Sequence, residues 1–222
     1  MGLFAVARIP RGTRVLAEPA LLLDHHGTPL SIMRAFDKLP PSQQTQYLRL
    51  HSYISDFSKK CWEEYIPGKW EDLPELDRKV MEIIAVNQFD EGVFLRATRI
   101  NHSCVPNLVH TYNMETKLKT FHTVRDVAAG EELTISYCGG CLHTWSERRE
   151  FLENYGFICT CEACEKVDGG KKQDEREAWV ECKEQLISNV DDRNWPRVLE
   201  LGKELAGVLE AAGFYDGSLS FV

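Results

Sequence analysis

Arg99-Ile100-Asn101-His102-Ser103-Cys104-Val105-Pro106-Asn107 is the stretch on which the reading of this chain turns. Polar Asn101, His102, Ser103 and Cys104 lie between apolar Ile100 and Val105, just ahead of a run with strand character. Burying such groups costs free energy unless each is satisfied, so they are expected to bond a ligand or to hold turns of the backbone. His102 and Cys104 are also the residue types of a base and a nucleophile. Adjacency in sequence does not make a dyad, which is an arrangement in space.

Downstream, Leu108–Tyr112 and Lys117–Val124 flank Asn113-Met114-Glu115-Thr116, the pattern of a β-hairpin. Val127–Glu132 reads as a turn into a strand, Leu133-Thr134-Ile135-Ser136-Tyr137, and Ser146–Asn154 as a brief helix. Cys159-Thr160-Cys161-Glu162-Ala163-Cys164 follows. Its C-x-C-x-x-C spacing brings three thiolates within a few ångströms, which suits tetrahedral zinc with bonds of ~2.3 Å. A closed structural site needs one more ligand, and spacing offers Cys104, Cys138, Cys141, His143 or His102. Cys138-Gly139-Gly140-Cys141 has the form of a redox pair or half of a second zinc site. Neither Cys61 nor Cys182 completes it at ligand spacing, so a glycine-rich loop with two free cysteines is the simpler reading.

Upstream, Leu3–Val6 and Arg14–Glu18 are expected strands around a Pro10-Arg11-Gly12-Thr13 turn. Residues 24–90 read as a mostly helical insert beginning near Asp37. Ser42 follows Pro40-Pro41 as a start signal, with Tyr47, Leu48, Leu50 and Ile54 as a stripe. A second helix, Glu75–Gln88, places Leu76, Val80, Ile83, Ile84 and Asn87 on one face. Past a polar link, Asp168–Lys172, two amphipathic helices are expected. One, about 175–190, carries Trp179, Cys182, Leu186 and Val190 on one face. The other, about 196–212, carries Val198, Leu201, Leu205, Val208 and Ala212, with Pro196 in its first turn and Gly213 past its end. A short connection makes them an antiparallel hairpin, which must pack on the β domain or open a longer helical array.

The 222 residues are 43% hydrophobic and 27% charged, enough for a real core. A net charge of −8 argues against a general electrostatic grip on nucleic acid. Arg8, Arg11, Arg14 and Glu18 interrupt any signal-peptide core, and the apolar run Ala20–Leu23 is too short to span a bilayer. Eight cysteines in such a chain point to thiols or metal ligands in a reducing compartment, nucleus or cytoplasm.

The conjunction of these pieces resembles the SET-domain proteins that transfer methyl groups from S-adenosylmethionine to lysine. The resemblance is carried by Gly2-Leu3-Phe4-Ala5 with Ile9-Pro10-Arg11-Gly12, by the stretch from Arg99 to Asn107, and by Gly130-Glu131-Glu132-Leu133-Thr134-Ile135-Ser136-Tyr137. It closes with Tyr155-Gly156-Phe157-Ile158 and the cysteine run, and so covers about residues 1–164. It is nearest to the SET- and MYND-domain branch and its fungal relatives; residues 24–90 contain only Cys61, so no MYND finger is expected.

The resemblance implies an α+β fold, a β-clip of short sheets with a helical insert. A SET domain over 1–138, a zinc-bound post-SET segment over 139–167 and a helical region over 168–222 would divide the chain. It implies Tyr137 as the catalytic tyrosine, and Asn101, His102, Phe157, Asn87, Leu3 and Phe4 with Tyr137 at the S-adenosyl-L-methionine site. Zn2+ would be held by Cys104, Cys159, Cys161 and Cys164, which supplies the missing fourth thiolate. The partner implied is a protein presenting a lysine, with neither a membrane nor nucleic acid bound directly. Relatives carry a glycine-rich stretch before Gly2 and a longer helical array after the hairpin, so truncation at both ends is expected. The absent glycine loop keeps a second reading, a catalytically weak or inactive SET-fold interaction module. A zinc-stabilised nucleic-acid binder is disfavoured by the charge.

Overall fold

The computed structural model describes residues 2–23, 27–139, 142–166 and 176–211. Strands β1 (Leu3–Phe4), β2 (Arg14–Pro19) and β3 (Leu22–Leu23) lead into a helical insert of α1 (Pro29–Asp37), α2 (Pro41–Leu48), α3 (Asp56–Glu63) and α4 (Glu75–Asn87). Strands β4 (Gln88–Phe89), β5 (Gly92–Val93), β6 (Asn101–His102), β7 (Leu108–Asn113), β8 (Leu118–Thr123) and β9 (Glu132–Ile135) follow. Helices α5 (Trp145–Glu153), α6 (Glu162–Lys166), α7 (Arg176–Asp191) and α8 (Trp195–Ala211) end the described chain. The strands form three small sheets, in the orders β1-β9-β6, β2-β8-β7 and β3-β5-β4. The fold is the expected α+β arrangement, with a helical insert and a C-terminal helical hairpin.

The β7–β8 hairpin is set by its turn. Asn113 Oδ1 accepts from the N–H groups of Glu115 and Thr116 at 2.9 and 2.8 Å, and Lys117 takes a left-handed φ of 57°. Along β8, Lys119, Phe121 and Thr123 are buried in alternation, the period-two pattern of a strand with one face inward. Lys119 is a cation on that face, and its Nζ meets Glu91 Oε2 at 2.7 Å. At β5 a side chain is impossible: a Cβ on Gly92 would lie 2.1 Å from the carbonyl oxygen of Leu22 on β3.

The insert differs in detail from the sequence reading. α1 begins at Pro29, well before Asp37, because Thr28 and Ser31 form a reciprocal cap and Pro29 suits the first helical position. α2 stops at Leu48, so Tyr47, Leu48, Leu50 and Ile54 do not share one helix face. Tyr47, Leu48 and Leu50 still reach a common core, from the helix end and the turn after it. Ser55 caps α3, an additional helix. On α4, Val80, Ile83, Ile84 and Asn87 are buried as expected, whereas Leu76 in the first turn is exposed.

Two cores result. Phe94, Ala97, Ile100, Leu108, Phe121, Val127, Leu133 and Ile135 fill the space among the sheets. Leu22, Ile32, Phe36, Tyr47, Val80, Ile83, Ile84 and Val93 join the insert to β3 and β5. A smaller cluster of Leu205 and Leu209 with Val105, Leu142, Trp179 and Cys182 docks the α7–α8 hairpin on the loop after β6. Arg176, buried at the start of α7, donates from Nη2 to the Cys104 carbonyl at 2.6 Å. The hairpin's buried stripe runs through Leu201, Leu205 and Leu209, while Val190 and Val208 face outward, contrary to the expected faces. The Asp168–Lys172 link, Ala212 and Gly213 lie outside the described residues. No described helix is long and apolar enough to cross a membrane.

Candidate active site and metal centre

Parallel pairing of β6 with β9 sets Asn101 against Thr134 and His102 against Ile135, and so delivers the polar motif to the base of Tyr137. Its side chains satisfy the backbone there. Asn107 Oδ1 accepts from Thr134 N–H at 2.9 Å, and its Nδ2 donates to the Glu132 carbonyl at 2.7 Å. Tyr137 N–H donates to His102 Nδ1 at 3.0 Å, and Tyr137 Oη to the Ile100 carbonyl at 2.8 Å. Asn101 Nδ2 donates to Glu132 Oε1 at 2.7 Å. Burial lowers the His102 pKa to about 4, so the imidazole is neutral at physiological pH.

Four thiols converge below this ring. Cys104 Sγ lies 3.9 Å from that of Cys159 and 3.6 Å from that of Cys164, and with Cys161 all four sulfurs fall within 4.8 Å of one another. Four ~2.3 Å zinc–sulfur bonds at tetrahedral angles separate their sulfurs by ~3.8 Å, so the donor set and spacing fit that ion. Of the candidates for fourth partner, Cys104 is therefore the one inside the cluster. His102 Nε2 stands 3.3 Å from Cys104 Sγ as its neighbour, Cys138 lies in a cavity wall, and Cys141 is outside the described residues. Thiol hydrogen bonds from Cys104, Cys159 and Cys164 push the Cys161 pKa below the usual thiol range.

Tyr137 stands where two cavities meet. One, of about 370 Å³, is lined by Phe89, Asp90, His110, Ile135, Cys138 and Phe151 among others. The other, of about 450 Å³, is lined by Arg49, Leu50, Arg99, Asn101, Gly156 and Phe157 among others. Val86, Asn87, Thr98, Tyr137 and Tyr155 border both. The first holds a carboxylate and neither lysine nor arginine; the second holds two arginines and no carboxylate. Burial, and then Tyr155 and Glu132, push the Tyr137 phenol up to about 12, so it stays protonated.

Asn101, Asn87, Tyr137 and Phe157 are thus brought together around one cavity. His102 lies against them, its ring centroid 5.3 Å from Tyr137 and 6.1 Å from Phe157. Leu3 and Phe4 line neither cavity. Leu3 packs into the main core, and Phe4 is exposed on β1 opposite Glu132. Sequence reasoning assigned no role to Tyr155, whose ring packs at a tilt against Tyr137 with centroids 4.9 Å apart; its place beside Gly156-Phe157 was the available signal. Gly156, at φ 77°, lies so close to Tyr53 that an added Cβ would meet that ring at 3.0 Å.

The SET domain family profile matches residues 1–138. The "Histone-lysine N-methyltransferase set5" of Schizosaccharomyces pombe is 31% identical over 166 residues, 74% of this chain and 47% of that protein. The "Histone-lysine N-methyltransferase SET5" of Meyerozyma guilliermondii is 43% identical over 83 residues, 36% of this chain and 17% of the relative. The "Protein-lysine N-trimethyltransferase SMYD5" of Danio rerio is 40% identical over 76 residues, 33% of this chain and 18% of the relative. The chain spans less than half the length of each of these proteins. With more than half of its residues matched by the profile, the chain belongs to the SET domain family.

Proposed function

We propose that this chain methylates the side-chain amine of a lysine in a protein substrate, histone or non-histone, using S-adenosylmethionine. The observation that carries the reading is the place of Tyr137, on the wall shared by two cavities of opposite charge character. The cavity with Arg49 and Arg99 suits the carboxylate-bearing cofactor, and the one with Asp90 and aromatic walls suits a lysine side chain. The cofactor supplies an electrophilic methyl on a sulfonium; the chain's work is positioning.

Methylation needs the neutral amine. For a lysine of pKa ~10.4 at pH ~7.4, deprotonation costs about 4 kcal/mol. Phe89, Ile135, Phe151 and Tyr155 desolvate that amine, which favours its neutral form. Tyr137 is not the base, since its phenol keeps its proton. With its O–H donating a hydrogen bond to the Ile100 carbonyl, the Tyr137 oxygen is left as an acceptor that orients the amine. Asn101, Asn87 and Phe157 line the cofactor side, and His102 fixes the Tyr137 backbone from beneath. Leu3 and Phe4 serve through β1, which seats Gly2 against the Asn101–Glu132 hydrogen bond. Cys104, Cys159, Cys161 and Cys164 would close the coordination sphere of one zinc, which holds the loop after Phe157 in place and takes no part in the reaction. The cysteine chemistry suits a reducing compartment, nucleus or cytoplasm.

Native mass spectrometry with and without S-adenosylmethionine, followed by tritiated-methyl transfer to core histones and to a lysine-rich protein panel, tests this. One zinc, one bound cofactor and label on lysine are expected. Zinc with no cofactor binding would replace the reading with that of an inactive interaction module.

A further inference from the structure

Resting on the cofactor reading above, we propose that Arg49, carried by the helical insert, binds the α-carboxylate of the cofactor's amino-acid end. Arg49 and Arg99 both line the cavity that Tyr137 and Phe157 border, and no aspartate or glutamate lines it. A ligand with only cationic groups would be repelled there. One presenting a carboxylate would meet the Arg49 guanidinium, a forked donor of the kind that binds carboxylate through paired charge-assisted hydrogen bonds, in a cavity whose positive character Arg99 reinforces.

The backbone at Arg49 is held in place. Its N–H closes α2 on the carbonyl of Gln46 at 3.3 Å, and Leu50 N–H bonds the Tyr47 carbonyl at 2.9 Å. Two residues on, the His51 carbonyl accepts from Asn87 Nδ2 at 2.7 Å, and the same Nδ2 also bonds the Ile83 carbonyl at 2.6 Å. Asn87 is buried and itself borders the cavity, so one amide ties the segment 49–51 to the cavity wall. The Arg49 side chain, by contrast, is exposed and makes no ion pair among the described residues. An exposed guanidinium on a fixed backbone, in the lining of a cavity without carboxylates, is placed to meet an anion bound there. Asn87 is then a positioning residue, acting on the cofactor through the segment that bears Arg49.

The test compares S-adenosylmethionine with decarboxylated S-adenosylmethionine, which differ only in that carboxylate, by titration calorimetry on the zinc-loaded chain. The wild type is expected to bind the carboxylate-bearing ligand about tenfold more tightly or better. Arg49→Gln should lose most of that preference while binding the decarboxylated ligand as the wild type does, and Arg49→Lys should keep part of it. Arg49 is exposed, so an unchanged melting temperature serves as the folding control. A preference ratio unchanged in Arg49→Gln overturns the proposal, as does a wild type with no preference. A wild type that binds neither ligand removes the cofactor reading itself, and the proposal with it.

Discussion

The imidazole of His102 accepts the Tyr137 N–H at Nδ1, at 3.0 Å, and that bond decides its tautomer. With Nδ1 an acceptor, the proton of the neutral ring sits on Nε2, which points at Cys104 Sγ 3.3 Å away. A single ring therefore joins the segment that carries the tyrosine to one thiol of the four-cysteine cluster. Replacing such an outer partner commonly lowers metal affinity by about 10–100-fold. His102→Leu is accordingly expected to lose zinc faster to a chelator, with turnover falling alongside; a chromophoric zinc indicator follows the release.

Tyr137→Phe removes the hydroxyl and leaves the ring packed against Tyr155. The Ile100 carbonyl loses one hydrogen bond, a loss of about 1 kcal/mol of stability. Turnover should fall by roughly 10²-fold or more if the oxygen orients the amine, as for other groups that act only near the transition state. Thermal melts and methyl-transfer rates on the same preparation separate the two effects, and undiminished turnover would remove Tyr137 from the mechanism.

His110 packs edge-on against Phe89, with ring centroids 5.2 Å apart, and burial followed by the Lys119 charge lowers its pKa to about 4. Asp90 and Glu91 oppose that shift. Unfolded, the same group titrates near 6.5. The folded chain thus holds its imidazole neutral where the unfolded chain takes up a proton. That contribution is full above pH ~6.5 and is lost as pH falls toward 4. Melting temperature should fall across this window, and His110→Phe should shrink the fall; His102, shifted in the same direction, keeps part of it.

Lys119 and Glu91 form an ion pair whose lysine is almost wholly buried. Removing one partner of a buried pair leaves the other charge uncompensated, typically at 3–5 kcal/mol, as a rough upper range here since Glu91 retains some solvent contact. Lys119→Met should therefore lower stability sharply. The double variant Lys119→Met with Glu91→Leu should recover most of it, because hydrophobic residues of similar size fill such a site well. Urea unfolding of the two variants measures the difference.

Elements that carry their own local signal were legible. The β7–β8 hairpin and α4 lie within a residue or two of the expected bounds, since one has a turn of strong chemistry and the other an unbroken apolar face. Strands β3 to β6 have two residues each, too few for any periodicity; β3 and β6 exist because β5 and β9, far away in the chain, pair with them, and β4 turns straight back on β5. The cap at Thr28 rests on a reciprocal pair of side chains, and α2 closes at Leu48 on the backbone N–H of Arg49; an apolar stripe reveals neither. Spacing alone made three members of the cysteine cluster legible and left five candidates for the fourth; the family resemblance named Cys104, 55 residues before Cys159, and the fold brings that thiol into the cluster. Arg49 was invisible as a site residue, because nothing local tells a helix-end arginine that borders a cavity from one that faces solvent.

Strand β9 lies between a neighbour from the first residues of the chain and one some thirty residues upstream of it. During synthesis at ~5–20 residues per second, Leu3 waits on the order of ten seconds before Leu133 emerges to meet it. The helical insert and the β7–β8 hairpin, whose contacts are local, can form in that interval. The tyrosine and its two cavities come together only after that, so the newborn chain exposes β1 and the polar motif until nearly all of its family-matched portion has left the ribosome.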